Sequence, residues 1–422
     1  MMGAKVFRRG VGLVLFAVFL CLLHACKTED PGNALDDYTD HTGPSIRSSM
    51  PSDGSTDINP HLVRSVEIEF AEKMDQGSIT SSSIAITDTA TDTALSSTVS
   101  STETSATVNL SEDLSFNTSY RIDVSTAVKD RVGNPFDSED SITFSTIHVF
   151  PVPDSGQTTD YTATFGEDPD YAIHSMSFTD NGDNTITDNV TGLTWMDEDT
   201  LGTGTLAAAD TSCDILNQGG HTDWRLPTYR ELLDLIDHDS TMPDTAYFTI
   251  GFTGSYWTST PDPGDLNRHF TIAFNTAISQ NTTKTLTGRA VLCVRGDTTP
   301  QPDLSDHEDG TILDKTSGLV WQQGEGGSMD WEAALTYCEN LELADRSDWR
   351  LPNRKALGSL LDYSRDGPAL DTYYFPGVVA GQYWSSTSES GPQAWQVDFN
   401  NLLSSDQAKT NLYNVRCVRG GK

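Results

Sequence analysis

Cysteines are the residues of this chain best suited to covalent chemistry. Cys213, Cys293, Cys338 and Cys417 fall into two intervals of nearly equal length, and neither contains a short Cys-x-x-Cys clip of the kind structural zinc sites use. The spacing therefore supports two long-range disulfides, Cys213 with Cys293 and Cys338 with Cys417, which persist only in an oxidising compartment. Each would close a long loop, worth on the order of 4 kcal/mol in the chain-entropy model. Carboxylates offer a second chemistry. Asp180-Asn181-Gly182-Asp183-Asn184 followed by Asp188 clusters oxygen ligands as calcium loops do, so Asp180, Asp183 and Asp188 are the candidate metal ligands. The spacing fits no EF-hand, and a tight β-turn accounts for the same residue types. Glu231 beside Arg225 and Arg230 invites a catalytic reading. Thr228-Tyr229-Arg230-Glu231 is better explained as a capping box, a hydroxyl and a carboxylate satisfying each other's orphan amides at a helix start.

Enzyme signatures are absent from the sequence. There is no His-Glu-x-x-His, no Gly-x-Ser-x-Gly and no Gly-Lys-Ser or Gly-Lys-Thr phosphate loop, and the nine histidines are scattered. The expectation is a protein that is not an enzyme, with no catalytic residues and no cofactor beyond the calcium just weighed. A formal net charge of −35 repels phosphate, which excludes nucleic acid as a partner class and disfavours sulfated polyanions.

Lys5, Arg8 and Arg9 precede an apolar run from Val11 to Leu23, and Ala25 precedes Cys26. The run is shorter than the roughly 20 residues that span a bilayer, so residues 1–25 read as a signal peptide. Leu23-His24-Ala25-Cys26 resembles the bacterial lipobox. That resemblance implies export, cleavage before Cys26, and a membrane partner reached through several acyl chains on this residue, enough for stable anchoring. Lys27 in place of Asp resembles the outer-membrane form of the enterobacterial sorting rule. The expected location is the outer membrane, on the cell surface, with the periplasmic face left open.

Residues 26–43 are polar and acidic and read as a tether. From 44 to 147 apolar residues alternate with polar ones, as in Val66, Ile68 and Phe70 with Glu67 and Glu69 between them, then Ile84 and Ile86, Val108 and Leu110, and Tyr120, Ile122 and Val124. Period-two runs broken by Ser, Thr, Asp and Gly predict an antiparallel sandwich. The stretches Pro51-Ser52-Asp53-Gly54, Glu69 to Asp75, and Val128-Lys129-Asp130-Arg131-Val132-Gly133-Asn134-Pro135 resemble the bacterial Ig-like domain of surface-layer proteins. Asp130, Gly133 and Asn134 suit a tight turn, with a calcium site the alternative.

Beyond a leader at 148–170 the chain repeats itself at an offset of about 125 residues. Thr191-Gly192-Leu193-Thr194-Trp195 recurs as Ser317-Gly318-Leu319-Val320-Trp321, and Asp223-Trp224-Arg225-Leu226-Pro227 as Asp348-Trp349-Arg350-Leu351-Pro352. Tyr256-Trp257-Thr258-Ser259-Thr260 recurs as Tyr383-Trp384-Ser385-Ser386-Thr387, and Cys293-Val294-Arg295-Gly296 as Cys417-Val418-Arg419-Gly420. Copy one is placed at 171–296, a Pro-rich spacer at 297–305 and copy two at 306–422. Trp331, Ala334, Leu335, Cys338 and Leu341 share a helical face, with a counterpart near Leu206 to Leu216, and a second helix follows each Trp-Arg-Leu-Pro. The predicted class is therefore multidomain, an all-β Ig-like sandwich followed by two α+β units.

The two copies resemble the C-terminal domain of the Legionella collagen-like adhesin. The resemblance implies a C-type-lectin-like fold with a helix-to-last-strand disulfide, and an adhesin-like role binding an extracellular glycan or protein. The ligand-binding residues are not identified. A structural envelope component is one alternative. Another is an enzyme of the formylglycine-generating type, because that family is placed in the same superfamily and depends on reactive cysteines. Tyr256, Trp257, Tyr383 and Trp384 could stack on a sugar but fit core strands better, while Tyr373 and Tyr374 are the exposed candidates. Gln301-Pro302-Asp303 spells the tripeptide of galactose-selecting lectins but falls in the spacer.

Overall fold

The computed structural model describes residues 40–240, 242–252 and 254–421. Residues 1–25, Cys26 and most of the expected tether lie outside the described residues. Among the described residues no helix is long and apolar enough to cross a membrane. The fold is mostly β-sheet with few helices.

Nine strands form the Ig-like unit: β1 (Ile46–Met50), β2 (Ser55–Ile58), β3 (Ser65–Phe70), β4 (Ile84–Asp88), β5 (Thr93–Ala94), β6 (Ser97–Ser101), β7 (Ser105–Leu110), β8 (Ser119–Val124) and β9 (Asp140–Thr146). They make two sheets, β1-β3-β7-β6 and β2-β9-β8-β4-β5. Alternation does its work on β3, where Val66, Ile68 and Phe70 are buried and Glu67 and Glu69 are exposed. These side chains meet Ile84, Ile86, Val108, Tyr120, Ile122 and Phe144 in one core. The turn at Asp130 forms as expected. Its Oδ1 accepts the amides of Val132 (2.9 Å), Gly133 (2.6 Å) and Asn134 (2.8 Å), and Oδ2 accepts the Asn134 side-chain amide (2.7 Å).

Each repeat is built the same way, as a four-stranded and a five-stranded sheet with two short helices. In copy one, α1 (Leu206–Asp214) carries Cys213 and α2 (Tyr229–Asp234) follows the Trp-Arg-Leu-Pro segment. In copy two, α3 (Trp331–Glu339) buries Trp331, Ala334, Leu335 and Cys338, the predicted face, and α4 (Arg354–Ser359) follows the second such segment. Both halves of the capping box are present at Thr228 and Glu231. Asn353 caps α4 alone, with Ala356 where a reciprocal carboxylate would stand.

The copies do not sit apart. One hydrophobic cluster runs from Trp195, Leu232, Leu233 and Ile272 of copy one into Leu357, Leu360, Phe375 and Trp395 of copy two. Its seam is α2 against α4, and the Leu233 side chain lies 3.2 Å from the place any Cβ on Gly358 would take. Glycine at that position is what lets the helices approach so closely. Around the seam the Tyr229 ring packs tilted against that of Tyr363 (ring centroids 5.2 Å apart) and Ser279 Oγ meets Ser404 Oγ at 3.3 Å. Arg354 bonds the Ala277 carbonyl and Ser404.

The spacer and leader are built into this body. Thr299 donates its amide to Glu231 (3.0 Å), Gln301 Oε1 accepts the Tyr363 amide (2.9 Å), and Leu304 is buried. The leader crosses copy two before entering copy one: Gln157 accepts the Ser388 amide (2.7 Å), Asp168 accepts the Thr387 hydroxyl (2.6 Å), and Lys355 donates to the Asp154 carbonyl (2.8 Å).

Burial pushes the Asp168 carboxyl up to about 6, and the charge of Asp154 adds to the effect. A carboxyl raised in the folded state binds its proton more tightly there than in the unfolded chain. Its contribution to stability is thus fully present below the ordinary carboxylate pKa and is lost as pH rises toward 6. Asp168→Asn should remove this component. Melting curves between pH 4 and pH 7 are expected to show the variant gaining on the wild type as pH rises, and parallel curves would contradict this.

Candidate functional site

The two bridges expected from the cysteine intervals are present. Cys213 on α1 joins Cys293 with Cα atoms 5.6 Å apart, and Cys338 on α3 joins Cys417 at 5.5 Å. All four are fully buried, each linking a helix to the chain just before the last strand of its copy. The thiols of copy one and copy two are therefore committed to structure.

Most other candidates from sequence find structural employment too. Glu231 is 1% exposed and accepts both Arg225 guanidinium nitrogens at 2.8 Å besides its capping bond. Asp180, Asp183 and Asp188 are not gathered. Asp180 accepts the Gly182 amide, Asp183 the Thr185 hydroxyl, and buried Asp188 the Val190 amide and the Thr191 amide and hydroxyl. These are turn-closing bonds, so the calcium reading gives way to the turn reading. Among the described residues, the acidic group whose oxygens do lie within 4.8 Å of one another is Asp40, Glu72 and Asp130. Asp130 is already filled there by four turn donors. Tyr256, Trp257, Tyr383 and Trp384 are fully buried, while Tyr373 is 81% exposed. Gln301 of the lectin-like tripeptide holds Tyr363, and Asp303 pairs with Lys315 at 2.7 Å.

The place where charge converges was not foreseen. Asp113, in the loop between β7 and β8, points into a cleft of about 330 Å³ between the Ig-like unit and copy two. Its carboxylate meets His61 Nδ1 (3.3 Å), Arg346 (3.0 Å), Arg419 (3.4 Å) and Arg64, and Arg419 also holds Asp348 at 2.8 Å. Burial opposes the charge on Asp113, but the His61 hydrogen bond and the neighbouring charges of Arg64, His61 and Arg419 outweigh it and hold the carboxyl below its usual range. Next to it Phe116 packs edge-on to His61 and lies 2.8 Å from where a Cβ on Gly318 would stand. The equivalent Gly192 of copy one has open space around it. Positive φ requires glycine in both copies (72° and 76°), and only copy two uses the gap to admit an aromatic ring. Chemically the cleft is a carboxylate receptor already occupied by a carboxylate of the same chain.

Residues 184–295 and 310–419 match the Lcl C-terminal domain, and residues 40–146 match the bacterial Ig-like domain. The chain belongs to the Lcl C-terminal domain family. Both matched types are surface-protein domains, and neither is an enzyme family. No curated protein matches the chain. Among solved structures it is similar to CopC from Methylosinus trichosporium OB3b (15% identity, 24% of this chain and 92% of that one, TM-score 0.21). It is also similar to the N-terminal part of the bacterial S-layer protein SbsC (16%, 60% and 44%, TM-score 0.20) and to the Yersinia pseudotuberculosis adhesin InvE (11%, 90% and 99%, TM-score 0.19). At such TM-scores these likenesses bear on neither fold nor function. Within the family's tandem arrangement, the second Lcl copy is the one that receives the Ig-like unit.

Asp113→Asn would leave His61, Arg64, Arg346 and Arg419 facing one another without their shared counter-charge, costing on the order of 3 kcal/mol for a partly buried network. The Ig-like unit should then swing free, seen as a larger radius of gyration in small-angle scattering. Because the Asp113 pKa is lowered, the wild-type contact should persist at pH 4 and fail only as pH falls through the lowered value. Identical scattering from wild type and variant would contradict the assignment.

Proposed function

We propose that the chain is a non-enzymatic surface lipoprotein that presents its two Lcl C-terminal copies, as one rigid body, to an extracellular glycan or protein. Export, cleavage before Cys26 and lipid anchoring in the outer membrane supply the location, and the Ig-like unit, held by Asp113, is the spacer between membrane and binding body. The reading rests chiefly on family membership in tandem, joined to two fully buried disulfides that require an oxidising compartment. A helix tied to the strand end by a bridge in each copy supports the lectin-like relationship and, with it, ligand binding. The strongly negative charge directs the choice of ligand away from nucleic acid and sulfated glycans.

An enzyme of the formylglycine-generating kind would need reactive cysteines, and the four in the Lcl copies are bridged. The structural-component reading is separated by experiment. Metabolic labelling with a fatty acid should mark the wild type and leave Cys26→Ala unlabelled, and protease added to intact cells should remove the wild-type protein. Purified mature protein should then retain glycans or matrix proteins from an array. Absence of label would remove the anchor, and a silent array would favour the structural role.

A further inference from the structure

Of the four outer strands in the Ig-like unit, three are guarded against pairing with another chain. β1 has a register break after Ile46, carries Arg47 and runs into Pro51. β2 pairs with β9 through another break, places Asp57 in the left-handed region and is soon followed by Pro60. β5 is two residues long. Breaks, prolines, charges and shortness are the usual protections of an open edge.

β6 has none of them. Ser97 to Ser101 pair with Leu110 to Ala106 of β7 in unbroken register. No residue from Thr93 to Thr102 is charged, and Glu103 just beyond is neutralised by Lys73 at 3.0 Å. Ser111 donates its amide to the Ser96 carbonyl and Thr102 donates to that of Ser105, so the even-numbered residues bond inward to β7. Antiparallel alternation then turns the amides and carbonyls of Ser97, Val99 and Ser101 toward the open side.

We propose that β6 is a dimerisation edge, pairing antiparallel with β6 of a second copy of this chain about a two-fold axis at Val99. The register is self-matched. Ser97 meets Ser101, Thr98 meets Ser100 and Val99 meets its own mate, which places hydroxyls opposite hydroxyls and valine opposite valine. About six backbone hydrogen bonds join the two four-stranded sheets into one. A second copy is the partner this edge fits because the run is close to palindromic about Val99, and its lack of charge keeps like charges from facing each other where the backbones of two strongly negative chains would lie about 5 Å apart.

The test is sedimentation equilibrium of the mature chain over a concentration series. The expected result is a mass rising from one chain toward two and stopping there. Thr98→Glu combined with Ser100→Glu changes exposed positions and sets like charges directly opposite each other in the dimer. Ser101→Pro removes an outward amide that the β7 ladder does not use. Both should raise the dissociation constant at least tenfold while leaving the melting temperature near that of the wild type. If Ser101→Pro fails to fold, the glutamate pair decides alone. A wild type that stays monomeric at the highest concentration, variants that associate as the wild type does, or growth beyond two chains would each overturn the proposal.

Discussion

Packing of α2 against α4 is the contact on which the rest of the molecule depends. Each helix has six residues, far too few to hold a helical conformation in water, and every residue of both is buried. Each exists because the other, and the sheets behind it, cover it. Leu232, Leu233, Leu357 and Leu360 are buried at this seam, each worth roughly 2 kcal/mol of transfer free energy. Separating the copies would expose that surface, so the tandem copies share a core, beside which copy two keeps a cluster of its own around Trp331, Leu335, Trp349 and Trp384.

A seam assembled from helices that carry charges needs internal partners for them. Lys355 donates to the carbonyls of Asp154 and Asp234 at 2.8 Å, and burial brings its ammonium down to about 8 while pushing the Asp234 carboxyl up to about 7. Arg354 lies 3.7 Å over the Trp395 ring, and away from the helices Arg416, just before the last strand of copy two, is held in the same way by the carbonyls of Gln322, Gln323 and Gly324. Such groups add little net stability compared with an apolar core, but they permit only one geometry. The leader, the spacer and the Asp113 contact extend the same logic outward, tying further parts of the chain to this body.

Much of the local structure was readable from residue patterns. Alternation placed the core of the Ig-like sandwich, the repeat placed both disulfides, and Thr228 with Glu231 announced the start of α2. The seam was not readable, because Leu232-Leu233 and Leu360-Leu361 look the same whether they face their own copy or its neighbour. Arg354-Lys355 at the head of α4 has the composition of a wet surface, and only the carbonyls and indole ring that surround it show otherwise. Asp113 escaped notice for a related reason. Its partners His61, Arg64, Arg346 and Arg419 are scattered through the sequence, and no spacing rule connects them. The acidic run around Asp183 allowed both a turn and a calcium loop, since the residues that bind calcium are also those that close turns, and the hydrogen bonds of Asp180, Asp183 and Asp188 are those of turns.

Native-state hydrogen exchange on a Leu357→Ala variant tests most directly whether the shared core couples the two copies, the separate cluster around α3 included. Leu357 belongs to copy two and is fully buried at the seam, and its truncation should cost about 2–5 kcal/mol. If the copies unfold as a unit, the amides of α1 in copy one should lose protection in step with those of α3 in copy two. Loss confined to copy two, with α1 exchanging as in the wild type, would show two independent units and contradict the account.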